Sequence, residues 1–599
     1  GLEPLAKIIM AQRESEPEIR ALDFVQGEVE SPEDALQGAR DIIAEWVSEN
    51  QRTRSNLRRK FMKEALIISK KVKKKVEENP EEAAKYQDYF DFAEPVKRCP
   101  AHRMLAMRRG ETEGFLKLHV KPEEDETALR VLQRQYVNGN NASANHVESA
   151  LEDSYKRLLQ PAMETEMKTL FKEKADEESI AVFAENLRQL LMAPPLGKKA
   201  VLALDPGYRT GCKLVCLNEQ GDLLHNETIY PHPPRSERKQ AKKKVSSLVE
   251  MFKIDAIAVG NGTASRETES FVKGIQYKRD VSVFMVSEDG ASVYSASPTA
   301  REEFPQYDVT VRGAVSIGRR LIDPLAELVK IDPKSIGVGQ YRHDVDQKML
   351  QKSLDRVVES CVNAVGVDLN TASRHLLTHV SGLGPKLAQN IVDYRSENGR
   401  FSSRRELKKV KLMGEKAYQQ AAGFLRVKDS KQPLDDSAVH PESYHVVEQM
   451  AKDLDVSLDE LIGNKKLIDS ILLKKYVQGE TGLPSLKDIV EELAKPGLDP
   501  RPPIKVFTFA EAVRKIDDLE TGMKLPGIVT NVTRFGAFVD IGIKQNGLIH
   551  ISNLADRFVS NPADIVSLHQ HVIVEVLSVD TERERIQLKL LKGDAEVSS

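Results

Sequence analysis

Three rings near the C-terminus, Phe535, Phe538 and His550, have the types and spacing to stack on nucleobases. The stretch around them, Gly527 to Ser552, predicts three short strands: Gly527–Val532, Ala537–Ile541 and Gly547–Ile551. Turns at Gly536, Gly542 and Asn546-Gly547 separate them. Side chains alternate along a strand, so Val539, Ile541, Ile549 and Ile551 are expected in a core. Phe538 and His550 then face water, with Phe535 on the adjoining turn. A second chemistry is carried by Asp205, which ends the apolar run Ala200–Leu204, and by Glu288 near the end of a later strand. Carboxylates are hard oxygen donors suited to divalent metal ions. A third lies in Val380–Ile391, where Gly382 and Gly384 let the backbone turn tightly and approach a phosphate, with Lys386 beside them. A second copy, Val410–Ala421, keeps Gly414 and adds Lys416. It has Leu412 where the first Gly belongs, so it is expected to bind phosphate more weakly.

The elements that must hold these residues follow in chain order. Residues 1–197 read as helical throughout, as in Asp34–Glu49 and Ala181–Met192, and as N-terminally truncated. Within them Asn56–Glu78 is very basic and reads as a solvated helix face rather than a phosphate contact. Pro100–Phe115 is not explained by periodicity. After Pro194–Gly197, residues 198–330 begin with a three-strand meander and continue with alternating helices and strands. This order resembles the YqgF branch of the RNase H-like α/β folds. Nucleases of that kind hold two divalent metals about 4 Å apart; the resemblance makes Asp205 the first carboxylate and Glu288 the second, and places a third on the final helix, where the chain reads Arg312-Gly-Ala-Val-Ser. A guanidinium there would repel a metal ion, and nothing in the spacing requires Asp344 or Asp346 to substitute. The site is therefore expected to be degenerate, with Asp205 and Glu288 vestigial and no metal or cofactor held.

Residues 331–379 connect, and 380–431 resemble tandem helix-hairpin-helix motifs. Ser381–Lys431 holds twelve Lys or Arg against five Asp or Glu, a local positive surplus, and the resemblance to paired motifs of this kind implies binding to duplex backbone without reading sequence. Residues 432–518 return to helices and a linker, with His440–Tyr444, a capping run at Ser457–Ile462 and a short helix near Phe509–Ile516. Strands at Val572–Val579 and Arg585–Leu590 complete five in residues 519–592. That pattern resembles the S1 domain, an RNA-binding OB-fold barrel, over Gly522–Leu591. Residues 593–599 form a polar tail. The fold class expected is thus multidomain: mostly α-helical, with an RNase H-like α/β domain, tandem helix-hairpin-helix motifs and a C-terminal all-β barrel.

Composition narrows the function classes. The chain has 40% hydrophobic and 30% charged residues, and no apolar run approaches the ~18 residues of a membrane span. Net charge is -3, so a nucleic-acid surface must be local. Cys99, Cys212, Cys216 and Cys361 make no CxxC pair, which fits a reducing cytoplasm. Cys212 and Cys216 share a strand face and are expected to pack rather than bind metal.

In this order the domains resemble the Tex family of bacterial transcription accessory proteins. DPGYRTGCK (Asp205–Lys213), GNGTASRETE (Gly260–Glu269), IGVGQYRHDVDQ (Ile336–Gln347), SGLGPKLAQNIV (Ser381–Val392) and HPESY (His440–Tyr444) carry the likeness. The resemblance implies a monomeric factor that binds RNA and DNA and modulates transcription, with RNA polymerase or the ribosome as partner. Its rivals are a metal-dependent nuclease or resolvase built on Asp205 and Glu288, and a scaffold for which nucleic acid is secondary.

Overall fold

The computed structural model describes the chain apart from residues 338, 340, 341, 478–481, 496, 498, 505–509, 511, 512, 514, 544, 569, 582 and 593–599. Much of the short helix expected near Phe509–Ile516, and the tail from Gly593, lie outside the described residues. The chain divides into two compact units, residues 1–181 with 340–347, and residues 182–339 with 348–599.

The first unit is not helical throughout, which corrects the sequence reading. It contains a three-stranded antiparallel sheet of β1 (Ala65–Lys71), β2 (Asp91–Pro95) and β3 (Leu116–Pro122), in the order β2-β1-β3. The basic stretch read as one helix is the helix Gln51–Glu64, then β1, then the short helix Lys73–Glu78. The reason is visible at Ala65-Leu-Ile-Ile-Ser69. Ala65, Ile67 and Ser69 are buried with period two, against Leu118 and Val120 of β3. Helices Pro32–Glu49 and Gln51–Glu64 bury Leu36, Ile43, Leu57 and Phe61 completely or nearly so.

The second unit begins with the meander β4 (Val201–Asp205), β5 (Cys212–Leu217) and β6 (Leu223–Ile229). The parallel strands β7 (Ala256–Gly260) and β8 (Ser282–Val286) complete a sheet of order β6-β5-β4-β7-β8. One face, with Leu202, Leu204 and both Cys212 and Cys216, packs on helices Arg238–Met251 and Ser265–Lys273. The other, with Val201, Ala203 and Val215, packs on Val309–Ile322. Both cysteines are core residues, as their shared face predicts.

The helix Gln347–Val365 follows, and two-residue strands β9 (Val367–Asp368) and β10 (Leu425–Arg426) bracket the hairpin region. A separate apolar core from Leu434, Val447, Leu461 and Leu486 organises the helices beyond it, and Ser457 and Glu460 form the expected capping box. Last comes a closed barrel: β11 (Lys524–Thr533), β12 (Gly536–Asp540), β13 (Gly547–His550), β14 (His571–Asp580) and β15 (Arg585–Lys592), in the order β11-β12-β13-β15-β14.

Candidate nucleic-acid interface

The barrel presents its rings as strand parity requires. Phe538 pairs with Leu548 and Gly536 with His550 across β12 and β13, while Ala537, Val539 and Ile549 are fully buried. Phe538 and Phe535 are half-buried and meet edge to face, with ring centroids 6.1 Å apart at 89°. Gly536 makes this possible. Its φ is +154°, and a Cβ there would lie 2.1 Å from the Ile549 carbonyl oxygen, so no other residue lets the two strands approach. The exposed His550 accepts from the Ser552 backbone N–H at its Nδ1 (3.3 Å), which leaves Nε2 to carry the proton as a donor. One expectation fails: β13 stops at His550, and Ile551 opens a single 3-10 turn, half-buried rather than in the core.

The barrel also offers groups that the sequence reading passed over. Leu588 of β15 pairs with Ile549, so Lys589 lies next to His550 on the outer face and forms an ion pair with Asp556 (3.5 Å). Two residues beyond Asp556, Phe558 is 92% exposed. It sits in an irregular loop, where no period marks a face. On the opposite side, Asn531, paired with Phe538, accepts a hydrogen bond from Asn186 (3.3 Å). The open part of the face therefore runs from Phe535 and Phe538 past His550 toward Lys589.

The hairpin region repeats one backbone device twice. In the first copy Leu383 N–H donates to Val380 O and Ala388 N–H to Gly384 O; in the second, Met413 N–H donates to Val410 O and Tyr418 N–H to Gly414 O. Gly382 has φ +82°, and Leu412, in its place, has φ +68°. The second turn is thus kept despite its side chain, which projects 66% exposed. Gly384 and Gly414 differ from what the sequence suggests. Both are extended caps of the helices Pro385–Asn398 and Glu415–Ala421, with φ -96° and -79° and no atom within 4 Å of an added Cβ. Only Gly382 is needed for the turn itself, where a Cβ would meet Gln420 Cβ at 2.6 Å. Lys386 and Lys416 are exposed beside the two caps. Not every cation here is available. Arg404 is fully buried, donating to the Val439 carbonyl (2.7 Å) and the Tyr444 hydroxyl (2.9 Å), and Arg426 is buried against the Gly423 carbonyl (2.8 Å).

Asp205 and Glu288 are brought together at the ends of β4 and β8. Burial raises both carboxyls above their ordinary range, and the Asp205 charge raises Glu288 further. Glu288 is anchored by the Gly262 N–H (3.2 Å) and fills space that a Cβ at Gly260 or Gly262 would take. Arg312 does not face them, contrary to the sequence reading. Its Nε and Nη2 donate to the Phe304 carbonyl (3.1 and 3.0 Å). Gly313 is the position that looks at Asp205, an added Cβ lying 3.7 Å from Oδ2. Asp344 belongs to the first unit, where it pairs with Arg109 (3.0 Å).

Family models match in the same order as these elements. Residues 518–591 match the S1 RNA binding domain, 362–426 the helix-hairpin-helix motif and 432–501 an HHH domain. Residues 199–322 match the Tex protein YqgF-like domain, and 12–183 the Tex central region. Protein tex of Bordetella pertussis is 46% identical over 613 residues, covering 99% of this chain and 77% of its own length. The chain belongs to the Tex family. Transcriptional accessory protein Tex of Neisseria gonorrhoeae is 45% identical over 607 residues, with 99% and 78% covered. S1 RNA-binding domain-containing protein 1 of Homo sapiens is 33% identical over 671 residues, with 99% and 67% covered. Against other Tex-family features, the HHH domain at 432–501 went unseen in the sequence, which showed only helices and a linker there.

Proposed function

We propose that this Tex-family chain is a nucleic-acid-binding transcription accessory factor that holds single-stranded RNA on the barrel and nucleic-acid backbone at the hairpins. The observation that carries it is the outward face of Phe535, Phe538 and His550 on a closed barrel whose core lies behind them. Stacked rings accept any base, and Lys589 beside His550 supplies a cation for the passing phosphate. At the hairpins, Gly384 and Gly414 leave the helix N–H groups open to a phosphate, with Lys386 and Lys416 as flanking charges. Neither device reads a base edge, so binding is sequence-tolerant and salt-dependent. Deleting residues 519–592 tests this: single-strand binding is lost and part of the duplex binding remains. Unchanged affinity for single-stranded RNA contradicts it.

The RNase H-like domain acts in this reading as a rigid platform, not as a nuclease. Two carboxylates converge, but the helix position facing them is Gly313, which cannot ligate. No group of three or more His, Cys, Asp or Glu is placed to hold a metal among the described residues. The donor set does not fit the metal pair that hydrolysis needs. The factor works as a monomer in the cytoplasm with RNA polymerase or the ribosome, a setting that suits its four unpaired cysteines.

A further inference from the structure

We infer that the first unit carries a separate phosphate-binding surface, built from Lys70, Lys71, Lys73, Lys74, Lys75 and Lys117 at one end of the β2-β1-β3 sheet. Its ligand class is the backbone of a nucleic acid. Nothing about the barrel or the hairpins requires this surface, and it stands on different observations.

The first observation is placement. Lys70 and Lys117 are direct cross-strand partners, an arrangement in which like charges repel. β1 then runs through Lys71 into the helix Lys73–Glu78, which puts three more lysines in the same turn of chain. Lys70, Lys71, Lys73, Lys74 and Lys117 are all exposed. The second observation is pairing. None of the six makes an ion pair with a carboxylate among the described residues, although neighbouring lysines such as Lys85 and Lys121 do. Asp91 stands opposite Lys70 on β2, and Glu77 and Glu78 close the far end of the same helix.

The third observation is polarity. The helix Lys73–Glu78 reads KKKVEE, with cations at its positive end and acids at its negative end. A helix gains stability from the opposite order, and a Lys before a Glu at i,i+4 is the poorer pairing direction. A charge order that works against the fold at both ends, joined to a repulsive cross-strand pair, is compensated when an external anion runs across it. Two of the lysines are also positioned: Lys71 lies 5.7 Å over the Phe90 ring and Lys75 5.6 Å over Phe115. A row of fixed and mobile cations with no sequence-reading side chain among them suits repeated phosphates. An acidic protein segment is the alternative occupant that the test must reject.

The test uses the full chain with Lys70, Lys73 and Lys74 all changed to Gln, and separately all changed to Arg. Binding to duplex DNA and to single-stranded RNA of unrelated sequence is titrated across salt concentrations. Each lost phosphate contact flattens the slope of log K against log salt by about 0.9 on duplex or about 0.7 on a single strand. On whichever probe this surface holds, the Gln variant is therefore expected to flatten the slope by about 2.7 or about 2.1. The Arg variant keeps the parent slope, and thermal stability does not fall in either. Phe538→Ala, run alongside, lowers single-strand affinity without changing the slope, since stacking releases no counterions; failure of the barrel is thereby separated from failure of the lysines. Unchanged slopes on both probes for the Gln variant overturn the inference, as does an Arg variant that fails alongside it.

Discussion

Gly382 and Gly384 stand two residues apart in one hairpin, yet they should answer substitution in opposite ways. At Gly382 the backbone is left-handed (φ +82°), which costs an L-residue about 1–2 kcal/mol. An added Cβ also lies 2.6 Å from Gln420 Cβ and 3.2 Å from the Ala417 carbonyl oxygen. Neither is the free end of a side chain, so the helix Glu415–Ala421 must shift, an overpacking that costs about 1–3 kcal/mol. Gly382→Ala should therefore destabilise by about 2–5 kcal/mol. At Gly384 the backbone is extended, and nothing lies within 4 Å of the new atom. Gly384→Ala should leave stability unchanged or raise it by about 0.4–1 kcal/mol, because the unfolded chain loses freedom. Its effect falls on binding. Losing a charge-assisted hydrogen bond costs about 1.5–3 kcal/mol, so duplex affinity should drop about 10- to 150-fold. Denaturant unfolding and duplex titration on the two variants decide the matter. A Gly384→Ala protein that binds duplex as tightly as the parent, or a Gly382→Ala protein as stable as the parent, refutes the reasoning.

Leu412→Gly relieves a left-handed leucine whose side chain is mostly in water, and after the entropy of glycine should stabilise the fold by about 0.5–1 kcal/mol in thermal or chemical unfolding. The Glu288 carboxyl is raised by burial and then by Asp205, so its contribution favours the fold below the ordinary glutamate range and is lost as pH rises through the raised value. Glu288→Gln should consequently be neutral to stability in acid and stabilising at neutral pH, read as melting temperature against pH. Asp205→Asn should behave similarly, and neither variant nor parent should cleave flaps, junctions or single strands with magnesium or manganese.

The barrel was legible because its strands alternate and the turns joining its first three strands carry Gly536, Gly542 and Asn546-Gly547. Parity then assigned Val539 and Ile549 to the core and Phe538 and His550 outside without any tertiary information. The sheet in the first unit was not. β1 is a short apolar run set between basic helical segments, and it gains its strand character from β3, whose Lys117 is the partner of Lys70. Such pairing is non-local and leaves little trace in a local pattern. At the carboxylate site the sequence located the right helix but not its rotation. One residue turns a helix by about 100°, enough to replace Arg312, aimed at the Phe304 carbonyl, with Gly313. The glycines show a similar limit, for Gly382 and Gly384 look alike in sequence while only the first has a positive φ.

The central claim is that single strands bind by stacking on the outward rings of the barrel. Its most direct measurement is the affinity of Phe538→Ala for single-stranded RNA, set beside its affinity for duplex DNA and its melting temperature. Stacking contributes about 1–3 kcal/mol per base, so the account predicts a loss of about 5- to 150-fold on the single strand. Duplex affinity should be nearly unchanged, and the barrel should remain folded because Val539 and Ile549, not Phe538, fill its core. Single-strand affinity equal to that of the parent, in a protein shown to be folded, would contradict it.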